Sequence, residues 1–248
     1  MSGHSHWSTI KYKKAATDAK RGKLFSKLSK AVSVAARQGG DPAFNAKLRA
    51  AVEVARSSGL PKDNIEKAIK KGSGTAEGTA LIEVNYEAYA HGGVALLVEC
   101  ITDKPVRTLP EVRRIIESHN GKMGAAGSVA WLFRRKSLIS VEKSAVDEDT
   151  LMGIVMDAGA EDISDIGEFW EIISRAEAHA KILKALEAAN ITPKVSELRL
   201  IADNELTLDN ATQAKVLRLM QALEDHDDVQ NVYANFIPSA EAVAALGE

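Results

Sequence analysis

The stretch Leu81-Ile-Glu-Val-Asn-Tyr-Glu-Ala-Tyr-Ala90, His91-Gly92-Gly93, Val94-Ala-Leu-Leu-Val-Glu-Cys-Ile-Thr102 marks a change of period in the chain. Two runs rich in Val, Ile, Leu and Tyr flank a short break with two glycines, which reads as a β-hairpin. Upstream the period is helical. Leu24, Leu28, Ala31 and Ala35 recur at spacings of three and four within residues 17–38, with Phe25 and Val32 beside them, and Gly39-Gly40 closes that helix. Asp41-Pro42 is expected to supply an N-cap and a first-turn proline for a second helix, whose Leu48, Val52 and Ala55 share a face as far as Gly59. A third helix follows Pro61 and carries Ile65, Ala68 and Ile69 up to Gly72. The glycine-rich, weakly charged stretch from Gly72 to Thr79 reads as a linker.

Beyond the hairpin, Pro105 to His119 reads as a helix with Val112, Ile115 and Ile116 inward. Val129–Phe133 and Ser137–Val141 read as two strands on either side of the basic Arg134-Arg135-Lys136. Helices at 147–158 and 177–189 then alternate with strands at 162–166, 169–174 and 197–201. From Ser137 the order is βαββαβ, the split βαβ arrangement of ferredoxin-like domains. A last helix, 210–224, and strand, 229–236, have no place in that sheet and are expected to complete the one begun at Leu81. The expected fold is therefore α+β and multidomain. A three-helix basic N-terminal domain, 1–75, precedes an α/β domain of residues 80–136 plus 204–240, and a second α/β domain, 137–203, is inserted in it. One or both of the α/β domains are expected to be ferredoxin-like.

The chain has 248 residues with a formal charge of −2, yet residues 1–71 carry 16 Lys and Arg against 5 Asp and Glu. That head is +11 and the remainder −13, so one end is suited to a polyanion that the other end repels. Lys20, Lys23, Lys27 and Lys30 fall within an arc of roughly 80° on the first helix, a ridge beside its apolar face. Ahead of it, Lys11, Lys13 and Lys14 are interleaved with Trp7 and Tyr12, which suits phosphate contact combined with base stacking. The stretch Gly121-Lys122-Met123-Gly124-Ala-Ala-Gly127-Ser128 contains GxxG twice. It follows a helix and precedes a strand, which argues against a KH module. It reads either as an ordinary connection or as an effector loop whose exposed amides and Lys122 approach a phosphate.

Signals for other chemistry are absent or weak. There is no GxxxxGK[ST], GxSxG, HExxH or DxDxDG. The spacing from Gly72 to Gly78 is wrong for a dinucleotide fingerprint, and it follows a helix. His4 and His6 form a lone HxH pair, and Glu224-Asp225-His226-Asp227-Asp228 reads as a solvated connection. No catalytic residue, metal site or cofactor is expected. The single Cys100, inside an apolar run, is expected to be a buried hydrophobe of a reduced compartment. The polar, basic N-terminus lacks the apolar segment of a signal peptide, and no window reaches the ~18 apolar residues of a membrane span. A cytoplasmic location and no membrane partner follow as expectations, with the oligomeric state open.

Several motifs in order give the chain a resemblance to the YebC family: Gly3-His-Ser-His-Trp7, Ile10-Lys-Tyr-Lys-Lys14, Asp18-Ala-Lys-Arg-Gly-Lys23, Leu60-Pro-Lys-Asp-Asn-Ile65 and Gly127-Ser-Val-Ala-Trp131. His6 stands where the family pattern has lysine, and Tyr12 where it has histidine. The family includes bacterial proteins described as transcriptional regulators and a mitochondrial translational activator of cytochrome c oxidase. The resemblance implies a helical N-terminal domain with two α/β domains, and a non-enzymatic factor in gene expression. Between the two roles, the lysine ridge and aromatic arm favour irregular RNA. The expected partner is rRNA on the ribosome, assisting elongation, held by Trp7, Lys11, Tyr12, Lys13, Lys14, Lys20, Arg21, Lys23, Lys27 and Lys30. The alternative is a regulator that binds double-stranded DNA through the same head.

Overall fold

The computed structural model describes residues 18–74, 80–239 and 242. Helix α1 (Asp18–Ala36) packs with α2 (Ala46–Ser57) and α3 (Lys62–Gly72) around Val32, Ala35, Leu48, Val52, Ala55, Leu60 and Ile65. The small residues of α1 let α3 come close. A Cβ on Gly72 would lie 1.9 Å from the Ser33 carbonyl oxygen, so only glycine fits. The N-cap of α2 is Asn45 and not Asp41, a shift of four residues. Asp41 instead closes a turn, accepting the Phe44 and Asn45 amides on its carbonyl and the Ala43 amide on its carboxylate. Asn45 accepts the Leu48 amide and donates to the Ala35 and Gly39 carbonyls. One buried side chain thus starts α2 and satisfies the end of α1.

Strands β1 (Ile82–Tyr89) and β2 (Ala95–Thr102) form the expected antiparallel hairpin through a 3₁₀ turn at His91–Gly93, where Gly92 and Gly93 both have positive φ. Helix α4 (Pro105–Ser118) leads to a two-residue strand β3 (Lys122–Met123) inside the glycine-rich stretch. After the inserted domain, α7 (Asn210–Glu224) and β8 (Val229–Ala234) return to this sheet, whose order is β3-β1-β2-β8. Alternation along β1 and β2 sends Val84, Tyr86, Ala88, Leu96, Val98 and Cys100 to one face, where α4 and α7 cover them. Burial pushes the Cys100 thiol up to about 12, which keeps it protonated and inert.

The inserted domain comprises β4 (Phe133–Glu142), α5 (Glu148–Val155), β5 (Ala160–Asp165), β6 (Phe169–Arg175), α6 (His179–Ala188) and β7 (Val195–Ala202). Its sheet order, β5-β6-β4-β7, all antiparallel, is the ferredoxin-like arrangement, with both helices on the face of Ile139, Val141, Trp170 and Ile172. Where two strands were expected around Arg134–Lys136, a single strand runs through the basic triplet, preceded by a 3₁₀ turn at Ala130–Leu132. The charges are tolerated because Arg134 and Lys136 find Asp203 at 2.9 Å and Glu161 at 3.2 Å, while Arg135 stays exposed. The two sheets meet through Ala95, Leu97, Phe133, Ala202 and Tyr233, with Tyr233 donating to Glu99 at 3.0 Å. No helix among the described residues is long and apolar enough to cross a membrane. Gly72→Ala is expected to destabilise the protein by about 1–3 kcal/mol through overpacking against α1, read as a lower urea midpoint with an unchanged slope.

Candidate nucleic-acid interface

The ridge of α1 does not stand clear of the body. Its helix presents three surfaces. Val32 and Ala35 face α2 and α3, whereas Ala31 and Val34 pack on Leu81 and Ile101 of the first α/β domain. Between these, Lys23 donates to the Asp225 carbonyl at 3.0 Å, Lys27 to the Glu224 carbonyl, and Lys30 to the Asp227 carbonyl at 2.9 Å. These carbonyls lie at and just beyond the C-terminus of α7, the negative end of the helix dipole, so three cations at i, i+4 and i+7 cap it from outside. Lys27 is only 9% exposed. The ammonium groups of Lys23, Lys27 and Lys30 therefore face acceptors of their own chain, where the sequence reading expected an open ridge. Lys20 lies in the first turn of α1 with its side chain outside the described residues, as are Trp7, Lys11, Tyr12, Lys13 and Lys14. Arg21 is exposed and lies over the Phe25 ring at 5.4 Å.

Asp228 completes the contact, and it is buried where a solvated connection was expected. It accepts from Lys30 at 2.7 Å, Arg107 at 2.7 Å and the Thr108 hydroxyl at 2.8 Å. Burial alone would raise its carboxyl, but these hydrogen bonds and the Lys30 charge outweigh it and hold the group well below the usual carboxylate range. Helices α1 and α4 and the turn before β8 are thus joined at one side chain. Lys47 with Glu83 at 2.8 Å, and Arg37 on the Leu81 carbonyl at 2.8 Å, flank the same contact.

Other cations of the N-terminal domain are exposed on α2 and α3. Arg49 and Arg56 are seven residues apart on α2, and Lys67 and Lys71 are four apart on α3, so each pair shares a helix face. Four residues, Ser58–Pro61, join the two helices, with Gly59 at φ +80°. Asn64 is exposed in the first turn of α3. The first-helix ridge is the conspicuous basic feature of the sequence; the basic residues of α2 and α3 become prominent only because three of the ridge lysines are engaged.

The glycine-rich stretch is a braced element. Glu87, buried on β1, accepts the amides of Gly127 at 2.5 Å, Val129 at 2.6 Å and Ala130 at 2.9 Å. Burial would raise that carboxyl, and the amides of Val129, Gly127 and Ala130 bring it below its ordinary value. Gly121 and Gly124 are packing glycines. A Cβ on the first would meet Ile116 at 2.9 Å, and on the second the Ser128 hydroxyl at 2.4 Å. Gly127 has φ +82° with open space around it. Met123 is half-buried against the first sheet's core and Lys122 is exposed at the sheet edge. Glu87 was legible only as an acid within a strand pattern. Among the described residues no group of three or more His, Cys, Asp or Glu could hold a metal. A cleft of about 280 Å³ beside the inserted sheet is lined by Lys136, Glu161, Asp162 and Ser164, and there Glu161 lies between Lys136 and Arg175.

Asp228→Asn is expected to cost about 2 kcal/mol near neutral pH, the scale of lost charge-assisted hydrogen bonds. Because the folded carboxyl titrates below its unfolded value, its contribution is full above about pH 4 and is lost as pH falls further. Urea unfolding of both proteins at pH 7 and pH 3 checks this: the gap between them should narrow in acid.

Comparison with known proteins bears on the whole chain. Residues 5–75 match the family description "TACO1/YebC protein N-terminal domain", and residues 81–236 match "TACO1/YebC second and third domain". A protein of Geobacter sulfurreducens named as a probable transcriptional regulatory protein is 48% identical over 247 residues, covering 99% of this chain and all of its own. One of Solibacter usitatus with the same description is 46% identical over 248 residues, covering both chains completely. The crystal structure of a conserved hypothetical protein from Aquifex aeolicus superposes with a TM-score of 0.78 at 42% identity, over 89% of this chain and 92% of that one. With the helical head and both sheets accounted for by these matches, the chain belongs to the TACO1/YebC family.

Proposed function

We propose that this protein is a nucleic-acid-binding regulator of gene expression that acts in the cytoplasm by binding and not by catalysis, with double-stranded DNA as the target and transcription as the process. The observation that carries the reading is the α2–turn–α3 unit. Two helices joined by Ser58–Pro61 with a left-handed Gly59 have the connection of a helix-turn-helix, and the second helix exposes Asn64, Lys67 and Lys71. Asparagine can read an adenine edge bidentately, while Lys67, Lys71, Arg49 and Arg56 supply phosphate contacts. The acidic inserted domain would be repelled by the duplex and so sets orientation. The names of the relatives support transcription as the process. Lys11, Lys13, Lys14 and Lys20 would add contacts from the preceding segment.

A second reading, a ribosome-bound translation factor on rRNA, is favoured by one observation. Tyr89 and Trp131 expose their rings beside the glycine-rich loop, and a perfect duplex offers no unpaired base to stack on them.

The test is duplex binding as a function of salt. A specific site is expected to be preferred by about 10³ or more over random DNA at ~150 mM salt. Arg56→Glu with Lys67→Glu and Lys71→Glu should weaken binding to all sequences and reduce the salt slope by about one for each phosphate no longer neutralised. Unchanged affinity would remove α2–α3 from the interface. Co-sedimentation with ribosomes that persists against excess random duplex, with no duplex discrimination, would replace the transcriptional reading by the second one. Lys27→Glu is unsuitable for this purpose, since it places a carboxylate against the C-terminal carbonyls of α7.

A further inference from the structure

The outer edge of the first sheet carries an arrangement that the α2–α3 surface does not use. Trp131 is 64% exposed, unusual for so large a ring, and Tyr89 is 38% exposed. Their polar atoms are not free: Trp131 Nε1 and the Tyr89 hydroxyl each donate to the Ser128 carbonyl at 3.1 Å. One carbonyl therefore holds both rings, and the two polar atoms lie no further than twice that distance apart. The carbonyl itself is fixed, because the neighbouring amides of Gly127, Val129 and Ala130 are locked on the Glu87 carboxylate. Lys122 pairs with Tyr89 across β3 and β1, so its exposed side chain leaves the same sheet face beside the tyrosine ring.

The stretch that carries Lys122 and Trp131, residues 118–141, holds no acid, and of its other cations Arg134 and Lys136 are paired with Asp203 and Glu161. Glu87 spends its carboxylate on three backbone amides, and Asp203 is paired with Arg134 at 2.9 Å. An apolar protein segment laid here would strip water from Lys122 with no counter-charge to compensate. An unpaired nucleotide matches every part. Its base has a π-face for an amphipathic ring, and its phosphate is an anion for the adjacent ammonium.

We propose that Tyr89, Trp131 and Lys122 form a stacking site for one or two unpaired nucleotides of a single strand, with the indole carrying the base and Lys122 the phosphate. The site rests on the reading of the chain as a nucleic-acid-binding protein and adds a second, single-strand subsite to its duplex-facing surface.

The test uses the full chain and three probes: a fluorescent 12-nucleotide oligouridine RNA, the matching oligothymidine DNA and a random duplex of equal length. Trp131→Ala should bind the oligouridine about ten-fold or more weakly, as expected for loss of one stacked base, while Trp131→Phe stays within about three-fold of the unaltered chain and duplex affinity does not move. Lys122→Glu, at an exposed edge position, should weaken single-strand binding and lower its salt slope by about one, and it decides the matter should Trp131→Ala lose its fold by circular dichroism. Comparable effects on RNA and DNA single strands place recognition in the base and phosphate; a loss confined to RNA adds the ribose hydroxyl to the site. Unchanged oligouridine affinity for Trp131→Ala and Lys122→Glu overturns the site. So does duplex binding without any single-strand binding, which leaves the regulator reading intact. Absence of binding to all three probes by the unaltered chain overturns both.

Discussion

A helix C-terminus ends in carbonyls with no partner of their own, and in this protein the end of α7 receives three donors from another domain. Lys23, Lys27 and Lys30 of α1 supply them, and Asp228, just past the helix, receives Lys30 together with Arg107 and Thr108. The ammonium groups meet a concentration of negative partial charge. Apart, both the carbonyls and the ammonium groups would be hydrated; together, with Lys27 only 9% exposed, each satisfies the other. The apolar seam of Ala31 and Val34 on Leu81 and Ile101 adds area but no direction, so the polar contact determines how the helical head is turned.

The orientation has consequences for what remains exposed. With one face of α1 against the body and another against its own domain, α2 and α3 are left as the cationic surface of the head. On the body, a parallel logic holds the glycine-rich stretch. Glu87 gathers three backbone amides as an anion held in a nest, and the Ser128 carbonyl that results anchors Tyr89 and Trp131. Both devices rest on a carboxylate made more acidic by directed donors despite burial.

Much of the architecture was legible because it follows periodicity. The hairpin around His91–Gly93 and the βαββαβ order follow from alternation and helical spacing, and the return of α7 and β8 to the first sheet follows from their having no place in the inserted one. The positions that differ depend on partners distant in sequence. Asp41-Pro42 resembles a cap, but Asn45 serves better because Ala35 and Gly39 offer it further bonds. Arg134-Arg135-Lys136 resembles a break, yet Asp203 and Glu161 make charges acceptable within a strand. Lys27 looks like a solvated lysine since nothing within 190 residues announces that the end of a helix waits for it. In the acidic stretch 224–228, Asp225 and Asp227 are exposed as expected, whereas Asp228 looks solvated for the same reason although it receives Lys30 of the head. The loop at 121–128 is ambiguous for a different reason: its glycines are required by packing at Gly121 and Gly124, and nothing in that stretch names Glu87 as its anchor.

The distance along the chain between the two halves of the α1–α7 contact carries a temporal meaning. Lys30 and Asp228 are 198 residues apart. At about 5–20 residues per second, the head emerges from the ribosome roughly 10–40 s before the segment that caps it has been made. During that interval the lysines of α1 have only water and the polyanionic surface of the ribosome beside them. Completion of the polypeptide is what withdraws them, so the nascent chain is a more cationic object than the finished protein.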